Sequence, residues 1–185
     1  MRRETKSMKN KLKVGIVGAP RGQSFIRSFQ AIEETDVIAI CDLNIDVVEG
    51  VASQFNIDQK YTEFEEMVQS DLDIVVVSTP MPLHAPQSTL ALQEGKHVIS
   101  EVPAATDLQQ CWELAKSVEN SKKKYMMAEN CVYTKPNILI RELAMQGLFG
   151  DIYFGEGQYI HELKSLNEIT KWRRKWQTGR NGCTY

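Results

Sequence analysis

The residues of this chain best suited to bind a phosphate group form a short turn, Gly18-Ala19-Pro20-Arg21-Gly22. The turn follows an apolar run typical of a buried strand and precedes apolar residues at helical spacing. A helix that begins directly after a strand presents unpaired backbone N–H groups and the positive end of its dipole. Both attract phosphate, and glycine lets the backbone bend sharply and approach the ligand closely. The turn therefore predicts a phosphate or pyrophosphate site.

The turn departs from the dinucleotide-binding pattern G-x-G-x-x-G. Pro20, which has no N–H to donate, stands where the second glycine is expected, and the spacing is one residue shorter. Arg21 offers a charged donor in its place. Asp42 ends the next predicted strand, at the distance downstream where an acidic residue binds a ribose hydroxyl. This order of elements favours a dinucleotide site over the alternative, a plain strand–helix connection.

Strand and helix patterns alternate through the first two thirds of the chain. Short apolar runs predict strands at residues 14–17, 38–40, 73–77, 97–99 and 125–128. Helical spacing of apolar residues predicts helices at residues 45–55, 64–69, 87–94 and 108–120. Gly95 fits a helix C′ position and Asp107 a helix N-cap. The alternation predicts an α/β fold with a Rossmann-type, doubly wound parallel sheet.

In a sheet of this type, ligands bind at the carboxyl ends of the strands. Polar or special residues stand at those ends, where a core needs none. They occupy residues 18–22, 42, 78–84, 101–103 and 129–130. The pattern predicts that these segments form one binding site.

The pattern changes after Asn130. A helix is predicted at residues 138–146, with a turn at Gly147 and Gly150, and residues 151–163 alternate like a strand with one wet face. We expect a tail at residues 1–10, a dinucleotide-binding domain at residues 11–131, and the start of a second, α+β domain at residues 132–185. Because the chain stops with that second sheet barely begun, it is expected to be part of a longer protein.

The composition is that of an ordinary globular protein, with 185 residues, 42% of them hydrophobic and 25% charged. The net charge of −2 gives no argument for nucleic acid or an anionic membrane, and no apolar run is long enough to span a bilayer. No C-x-x-C pair or metal-ligand spacing occurs among the four cysteines, Cys41, Cys111, Cys131 and Cys183. They predict free thiols in the cytoplasm and no metal site.

Four segments carry a resemblance to a known family: VGIVGAPRG, AICDLN, VVVSTPMPLHAP and GKHVISEVPAA. They resemble the Gfo/Idh/MocA family of nicotinamide-dependent oxidoreductases. Dehydrogenases of that family carry Glu-Lys-Pro where this chain has Glu101-Val102-Pro103, which argues against alcohol oxidation by their usual scheme. The segments EVPAA, CWEL, MMAENCVY and EGQYIHEL are similar to one branch, the NAD-dependent glycosidases of glycoside hydrolase family 109, named for α-N-acetylgalactosaminidase activity.

The resemblance implies NAD as the cofactor and a sugar or glycoside as the substrate. The residues that it places in contact with NAD are Arg21, Gly22, Asp42, Met81, Leu83, His84, Glu101, Val102 and Asn130. Gly18 and Thr79 join this set because they lie at predicted strand ends. The residues that it places at the sugar are Tyr159, Arg173 and Tyr185. His161 shares a predicted strand face with Tyr159 and is expected to point into the same cleft.

A glycosidase that holds NAD can oxidise a sugar hydroxyl transiently, which acidifies the neighbouring C–H. NAD-dependent glycosidases are an exception to the two-carboxylate rule. A base must remove that proton, and Tyr159 or His161 is the candidate. Each has a simpler interpretation, Tyr159 as a half-buried strand residue and His161 as a surface residue.

Two other functions stay open, a conventional NAD(P)-dependent sugar oxidoreductase and a non-catalytic NAD-binding module. Bound NAD without turnover of any sugar is typical of the last. For each function we expect a small-molecule ligand, no nucleic-acid partner and no membrane partner. The whole protein is expected to be a homo-oligomer.

Overall fold

In the computed structural model, which describes residues 11–158, 160, 162 and 164–169, six parallel strands form one sheet. The strands are β1 (Leu12–Val17), β2 (Thr35–Cys41), β3 (Gln59–Tyr61), β4 (Ile74–Val77), β5 (His97–Ser100) and β6 (Tyr125–Met127). The described helices are α1 (Ala19–Gln30), α2 (Ile45–Phe55), α3 (Phe64–Gln69), α4 (His84–Gln93), α5 (Leu108–Ser121), α6 (Lys135–Met145) and α7 (Lys164–Ile169). Short 3₁₀ helices lie at Met81–Leu83 and Asn130–Tyr133. None of the described helices combines the length and the apolar character that a membrane span requires.

The strand order β3-β2-β1-β4-β5-β6 confirms the predicted doubly wound sheet. From β1 the chain builds outward through β2 and β3, then crosses back to place β4, β5 and β6 on the other side. The direction of winding therefore reverses between β1 and β4. The crevice at the carboxyl ends of these two strands is where such sheets bind ligands.

Two layers of helices cover the sheet and bury its apolar residues. On one face α1 and α2 pack on β1 and β2, with Ile26 fully buried. On the other face α3, α4 and α5 pack on the sheet, with Met67 fully buried. Val75, Val76 and Val77 of β4 are all 0% exposed. This burial on both faces explains why β4 is an unbroken apolar run.

Several predicted helix boundaries are confirmed. α2 and α3 begin and end at the predicted residues. The Asp107 side chain accepts a hydrogen bond from the Gln110 backbone N–H at 2.9 Å, as an N-cap does. Gly95 has a φ of 73°, the left-handed conformation of a C′ residue.

Four elements of the first part of the chain differ clearly from the prediction. β2 begins at Thr35 rather than at residue 38. The turn after β1 is reduced to Gly18, because α1 already begins at Ala19 and Pro20 fits its first turn. α4 begins at His84 rather than at residue 87. β3 is not predicted, because it is a 3-residue edge strand and is too short to show an alternation of apolar and polar residues.

The described residues divide into two compact units, one ending at Ala128 and the other beginning at Glu129. The predicted domain boundary follows residue 131. In the second unit, the helix predicted at residues 138–146 is present as α6. Gly147, with a φ of 76°, and Gly150, with a φ of 63°, both adopt left-handed turn conformations after it.

The predicted strand at residues 151–163 is wrong. Its described residues, 151–158, 160 and 162, are exposed and do not form a strand. Alternation decides which side chains share a face, but a strand also needs a neighbour for its backbone hydrogen bonds. The regular elements described in the second unit are helices, which offer no such neighbour. The α+β character expected of this unit is therefore not seen in its described residues.

Candidate functional site

The carboxyl ends of four neighbouring strands lie in one row. Val17, Cys41, Val77 and Ser100 end β1, β2, β4 and β5, and they are paired in register. The residues that follow them therefore leave the sheet side by side. We call this row the carboxyl edge; its members are Gly18, Asp42, Ser78 and Glu101.

Gly18 makes the whole connection between β1 and α1, with a φ of 90° and a ψ of 67°. A Cβ at this position would lie 2.5 Å from the carbonyl carbon and oxygen of Ser78. The Ser78 hydroxyl donates to the Val17 carbonyl at 2.7 Å and lies 3.0 Å from the Gly18 carbonyl oxygen. Glycine is required here both for the left-handed backbone and for the close contact between the ends of β1 and β4.

Gly22 lies on the side of α1 that faces the sheet. A Cβ there would lie 2.5 Å from Cγ2 of Ile16 and 3.0 Å from Oγ of Ser78. The Gly22 N–H donates to the Gly18 carbonyl at 2.8 Å. Close packing of helix on strand explains this residue, which is the role of the third glycine in the dinucleotide pattern. A contact between Gly22 and the cofactor stays a prediction.

The first turn of α1 offers few free backbone donors. The Ala19 N–H donates to Oδ2 of Asp42 at 3.1 Å, and Pro20 has no N–H. The Gly22 N–H is also used, so the Arg21 N–H alone lacks an acceptor among the described residues. An anion at this helix end would therefore meet the helix dipole, one backbone N–H and the Arg21 side chain.

Arg21 and Glu101 form an ion pair at the carboxyl edge, in which Nε of Arg21 donates to Oε1 of Glu101. The Glu101 side chain is 10% exposed, whereas that of Arg21 is 64% exposed. Oε2 of Glu101 also accepts the Val102 N–H at 3.3 Å. A guanidinium has five N–H donors, so pairing through Nε leaves the terminal ones for another acceptor. Arg21 is thus held in place and still able to bind an anion.

The Asp42 carboxylate connects β2 to the start of α1. Oδ2 accepts from Ala19 as described, and Oδ1 accepts the Asn44 N–H at 3.2 Å. Each carboxylate oxygen has two lone pairs, so both can still accept hydrogen bonds from hydroxyl groups. This geometry fits the predicted contact with a ribose, which stays a prediction.

His84 is 1% exposed and lies between two loops of the carboxyl edge. Its Nδ1 is 2.8 Å from the Pro103 carbonyl oxygen, and its Nε2 is 2.6 Å from the Thr79 carbonyl oxygen. The predicted site residue is therefore present at the site, but its ring nitrogens face the protein itself.

Three more predicted residues follow β4. The Thr79 hydroxyl donates to the side-chain oxygen of Gln87 at 2.6 Å and keeps its lone pairs as acceptors. Met81 is buried in the core, whereas Leu83 is exposed. Of this segment, Thr79 and Leu83 are thus better placed to meet a ligand than Met81.

Cys41 stands one residue before Asp42 and is not a reactive thiol. Burial raises the pKa of this thiol to about 12, and the negative charge of Asp42 adds to the shift. Cysteine reacts as the thiolate, so a thiol with this pKa is inert at neutral pH. The cysteines of the described residues, Cys41, Cys111 and Cys131, are free.

The contacts predicted for five further residues stay predictions. Asn130 belongs to the second unit, where it begins a 3₁₀ helix and is exposed. The other four lie outside the described residues; they are Tyr159, His161, Arg173 and Tyr185. Their catalytic and sugar-binding roles stay predictions.

Sequence reasoning missed two contacts that hold the carboxyl edge together. The hydroxyl of Ser78 and the carbonyl of Val17 are 61 positions apart, and the charges of Arg21 and Glu101 are 80 positions apart. Hydrophobic periodicity reports only near neighbours along the chain. The available signal was the order of strand ends, which indicates proximity but not which atoms bond.

The groups at the carboxyl edge and in the first turn of α1 fit a dinucleotide. Asp42 offers free lone pairs for ribose hydroxyls, and Arg21 offers a free backbone N–H and terminal guanidinium donors for a pyrophosphate. Val102, which follows Glu101, is apolar and only partly exposed, so it can pack on a ligand but cannot exchange a proton with one.

Comparison with known proteins supports the resemblance seen in the sequence. Residues 12–129 match the family described as "Oxidoreductase family, NAD-binding Rossmann fold". The chain is similar to the alpha-N-acetylgalactosaminidase of Shewanella oneidensis, with 36% identity over 94% of this chain and 41% of the relative. The chain thus spans about two fifths of the length of that relative.

Two solved structures share the fold. The myo-inositol 2-dehydrogenase from Lactobacillus plantarum has a TM-score of 0.83 and 21% identity, covering 92% of this chain and 51% of that one. The scyllo-inositol dehydrogenase from Lactobacillus casei, solved with NAD(H) and scyllo-inositol, has a TM-score of 0.73 and 24% identity, covering 77% and 43%. At these identities the likeness concerns the fold alone.

The family match spans most of the first unit and includes every residue of the carboxyl edge. It confirms the predicted resemblance and NAD as the cofactor. The chain belongs to the Gfo/Idh/MocA oxidoreductase family, and its first unit is the NAD-binding Rossmann domain of that family.

Proposed function

We propose that this chain is the nucleotide-binding part of an NAD-dependent enzyme that acts on a sugar or glycoside, as a glycosidase that regenerates its NAD in each turnover. The observation that carries the proposal is the carboxyl edge, where Asp42 and Arg21 keep unused acceptors and donors. The name of the similar Shewanella oneidensis protein supports the choice of a glycosidase. Because this chain spans 41% of that relative, the activity is proposed for the whole protein.

The polar groups of NAD have matching groups in the first unit. Asp42 accepts hydrogen bonds from a ribose, and Arg21 donates to the pyrophosphate from its backbone and its guanidinium. Because the buried Glu101 already holds Nε of Arg21, the guanidinium loses less conformational freedom when the cofactor binds. The remaining NAD contacts proposed are Gly18, Gly22, Thr79, Met81, Leu83, Val102 and Asn130.

When bound, NAD supplies reversible acceptance of a hydride from a sugar carbon, the chemistry that NAD-dependent glycosidases use instead of two carboxylates. Val102 has no group that can hold a proton. The general base must therefore come from elsewhere, and we assign it to the phenol oxygen of Tyr159 or a ring nitrogen of His161. Arg173 and Tyr185 are proposed to hold the sugar.

A conventional NAD-dependent sugar oxidoreductase is the second candidate. The description of the matching family as an oxidoreductase family favours it. The two candidates differ in one product: an oxidoreductase accumulates NADH during turnover, whereas a glycosidase of this type returns the hydride and accumulates none.

The activity is tested on the complete product of the reading frame that contains this sequence, with a nitrophenyl N-acetylgalactosaminide. We expect release of nitrophenol without net formation of NADH. Net NADH formation from a free sugar would favour the oxidoreductase, and NAD binding without either reaction would favour a non-catalytic module. The 185-residue chain alone is expected to bind NAD without turnover.

The base assignment is tested in the same assay. Tyr159→Phe or His161→Ala is expected to lower turnover about a hundredfold or more, the order expected for loss of a general base. NAD affinity is expected to stay nearly unchanged. Full activity of both variants would contradict the assignment.

Two properties of the whole protein complete the proposal. The free thiols of the described cysteines support a cytoplasmic location, because disulfides are rare there. The exposed apolar side chains of α6, Leu139, Ile140 and Met145, support burial in a homo-oligomer or against a further part of the protein. Light scattering of the complete product distinguishes these, since only the first gives a mass above that of one chain.

A further inference from the structure

His84 is buried at the start of α4, and each of its ring nitrogens faces a backbone carbonyl oxygen. A neutral imidazole carries one N–H, so it donates a hydrogen bond to only one of these two oxygens. Nε2 lies 2.6 Å from the carbonyl oxygen of Thr79, in the loop after β4. Nδ1 lies 2.8 Å from the carbonyl oxygen of Pro103, in the loop after β5. The imidazole therefore lies between the loops that follow two neighbouring strands, within hydrogen-bond distance of each.

These contacts leave His84 no polar side-chain atom for a bound nucleotide. An imidazole has two nitrogens, and each already faces a protein carbonyl. A hydrogen bond from the ring N–H to NAD would leave the carbonyl that accepts this N–H without its partner, which is unfavourable for a buried group. A hydrogen bond between the His84 ring and NAD would therefore conflict with this geometry.

The link holds one end of the segment Glu101-Val102-Pro103. At the other end, the Glu101 N–H donates to the Val77 carbonyl at 2.8 Å, which continues the pairing of β5 with β4. At the Pro103 end, Nδ1 of His84 lies within hydrogen-bond distance of the carbonyl oxygen, at 2.8 Å. Between these two attachments the Glu101 carboxylate is buried and holds the Arg21 guanidinium. The position of the charged donor Arg21 thus depends on a segment that His84 ties down.

We propose that His84 donates its Nδ1–H to the Pro103 carbonyl and is thereby a positioning residue of the NAD site, which places Glu101 and, through Glu101, Arg21, without touching the cofactor itself. The inference rests on the NAD-binding role proposed above for Arg21, which Glu101 holds in place. It changes the expected behaviour of His84 variants, because a residue that acts through Glu101 has no effect of its own once Glu101 is disabled.

A double-mutant cycle in the 185-residue chain tests this dependence. The dissociation constant of NAD is measured by calorimetry for the unchanged chain, His84→Leu, Glu101→Gln and the double variant. We expect His84→Leu to weaken NAD binding about tenfold or more. The double variant is expected to bind within a factor of about two of the weaker single variant, the non-additivity of coupled residues. Losses that multiply, or an unchanged dissociation constant for His84→Leu, would overturn the proposal.

Two further variants separate positioning from general damage. His84→Gln keeps an N–H donor at the site and is expected to recover part of the affinity lost in His84→Leu. His97→Leu is the matched control, because it removes the histidine at the opposite end of β5 by the same substitution. It is expected to bind NAD as the unchanged chain does. No recovery by His84→Gln, or an equal loss in His97→Leu, would contradict a specific role of His84.

A measurement on the unchanged chain covers the case in which His84→Leu does not fold. Nitrogen-15 NMR detects a ring N–H of His84 that is hydrogen-bonded and protected from solvent. We expect the same protected N–H with and without saturating NAD. Its transfer from a protein carbonyl to the cofactor on NAD binding would overturn the proposal. If the unchanged chain binds no NAD, both the proposed function and the role of His84 are wrong. If it binds NAD but the affinity losses of His84→Leu and Glu101→Gln multiply in the double variant, only the role of His84 is wrong.

Discussion

Both ends of the parallel sheet carry an ion pair, but the two pairs have different surroundings. At the carboxyl edge, the Glu101 side chain is 10% exposed beneath Arg21. At the opposite end, the side chains of Lys13 and Asp71 are 43% and 87% exposed. Water screens the second pair, which therefore contributes little to stability. The carboxylate of the first pair is largely removed from water, so the loss of its partner is costly.

The charged residues at that opposite end, which we call the amino edge, are Lys11, Lys13, Asp36, Asp71 and Asp73. They outnumber the charges of the carboxyl edge. The hydrogen bond from Lys13 lowers the pKa of the Asp71 carboxyl, and the same bond raises the pKa of Lys13. These groups lie at the water surface, whereas Glu101 and His84 are buried and bonded to neighbouring loops. Buried and mutually bonded polar groups therefore mark a site better than the number of charges does.

The largest expected effect on stability comes from adding a methyl group where the ends of β1 and β4 are in close contact. Gly18→Ala places a Cβ against the backbone of Ser78 at a φ of 90°, so strain and overlap add. We expect the free energy of unfolding to fall by about 3 kcal/mol. Chemical denaturation measures it. The control is Gly50→Ala in α2, where a Cβ meets no described heavy atom within 4 Å. That variant is expected to gain about 0.5 kcal/mol.

The two ion pairs give the next test. Arg21→Gln leaves the buried charge of Glu101 without its partner and is expected to lower the free energy of unfolding by about 2 kcal/mol. Asp71→Asn at the amino edge is expected to leave the melting temperature unchanged, because its pair is exposed to water. Equal effects of the two substitutions would remove the distinction drawn between the two ends.

Two aspartates test the difference between the two ends of the sheet in nucleotide binding, Asp36 near the start of β2 and Asp42 directly after its end. The carboxylate of Asp42 is the proposed ribose ligand, and its negative charge would repel a 2′-phosphate, so we expect NAD to bind at least about tenfold more tightly than NADP. Asp42→Asn is expected to reduce this preference, whereas Asp36→Asn at the amino edge is expected to leave it intact. Calorimetric titration with both nucleotides measures the ratio. Tighter binding of NADP by the unchanged chain would refute the assignment of Asp42.

The smallest effect is expected at the amino edge, from His97 at the start of β5. Burial lowers the pKa of His97, and the positive charges of Lys123 and Lys124 lower it further. The unfolded chain therefore binds a proton at a pH where the folded chain does not, so stability rises with pH across the interval below the ordinary value of 6.5. His97→Gln is expected to flatten this part of the stability profile slightly, as thermal melts at several pH values would show. An unchanged profile would mean that another group causes the dependence.

The sequence predicted the elements of the first unit well because their signals are local. The Asp107 cap, Gly95 and the apolar faces of α2 and α3 depend on residues a few positions apart. The 3-residue strand β3 carried no such signal. The order of strand ends predicted that Asp42, Arg21 and Glu101 lie close together at the carboxyl edge. It did not predict the bond between Arg21 and Glu101. That bond depends on the packing of α1 against the sheet, which no local pattern encodes.

The second unit shows where a correct local signal is not sufficient. Residues 151–163 alternate as a strand does, yet the described ones form none. The same unit contains α6, because a helix makes its backbone hydrogen bonds within its own segment. A helix makes its backbone hydrogen bonds within one segment, whereas a strand needs a neighbouring strand. Only the prediction of the strand therefore depended on residues elsewhere in the chain.

Cys41 gives the nucleotide site a chemical resistance of its own. With a pKa of about 12, roughly one thiol in 10⁵ is ionised at pH 7. Peroxides and alkylating reagents attack the ionised form, so they find almost none at this position. A reactive sulfur atom one residue from the Asp42 carboxylate would otherwise be a point of oxidative damage. Burial of Cys41 removes that point of attack from this end of the sheet.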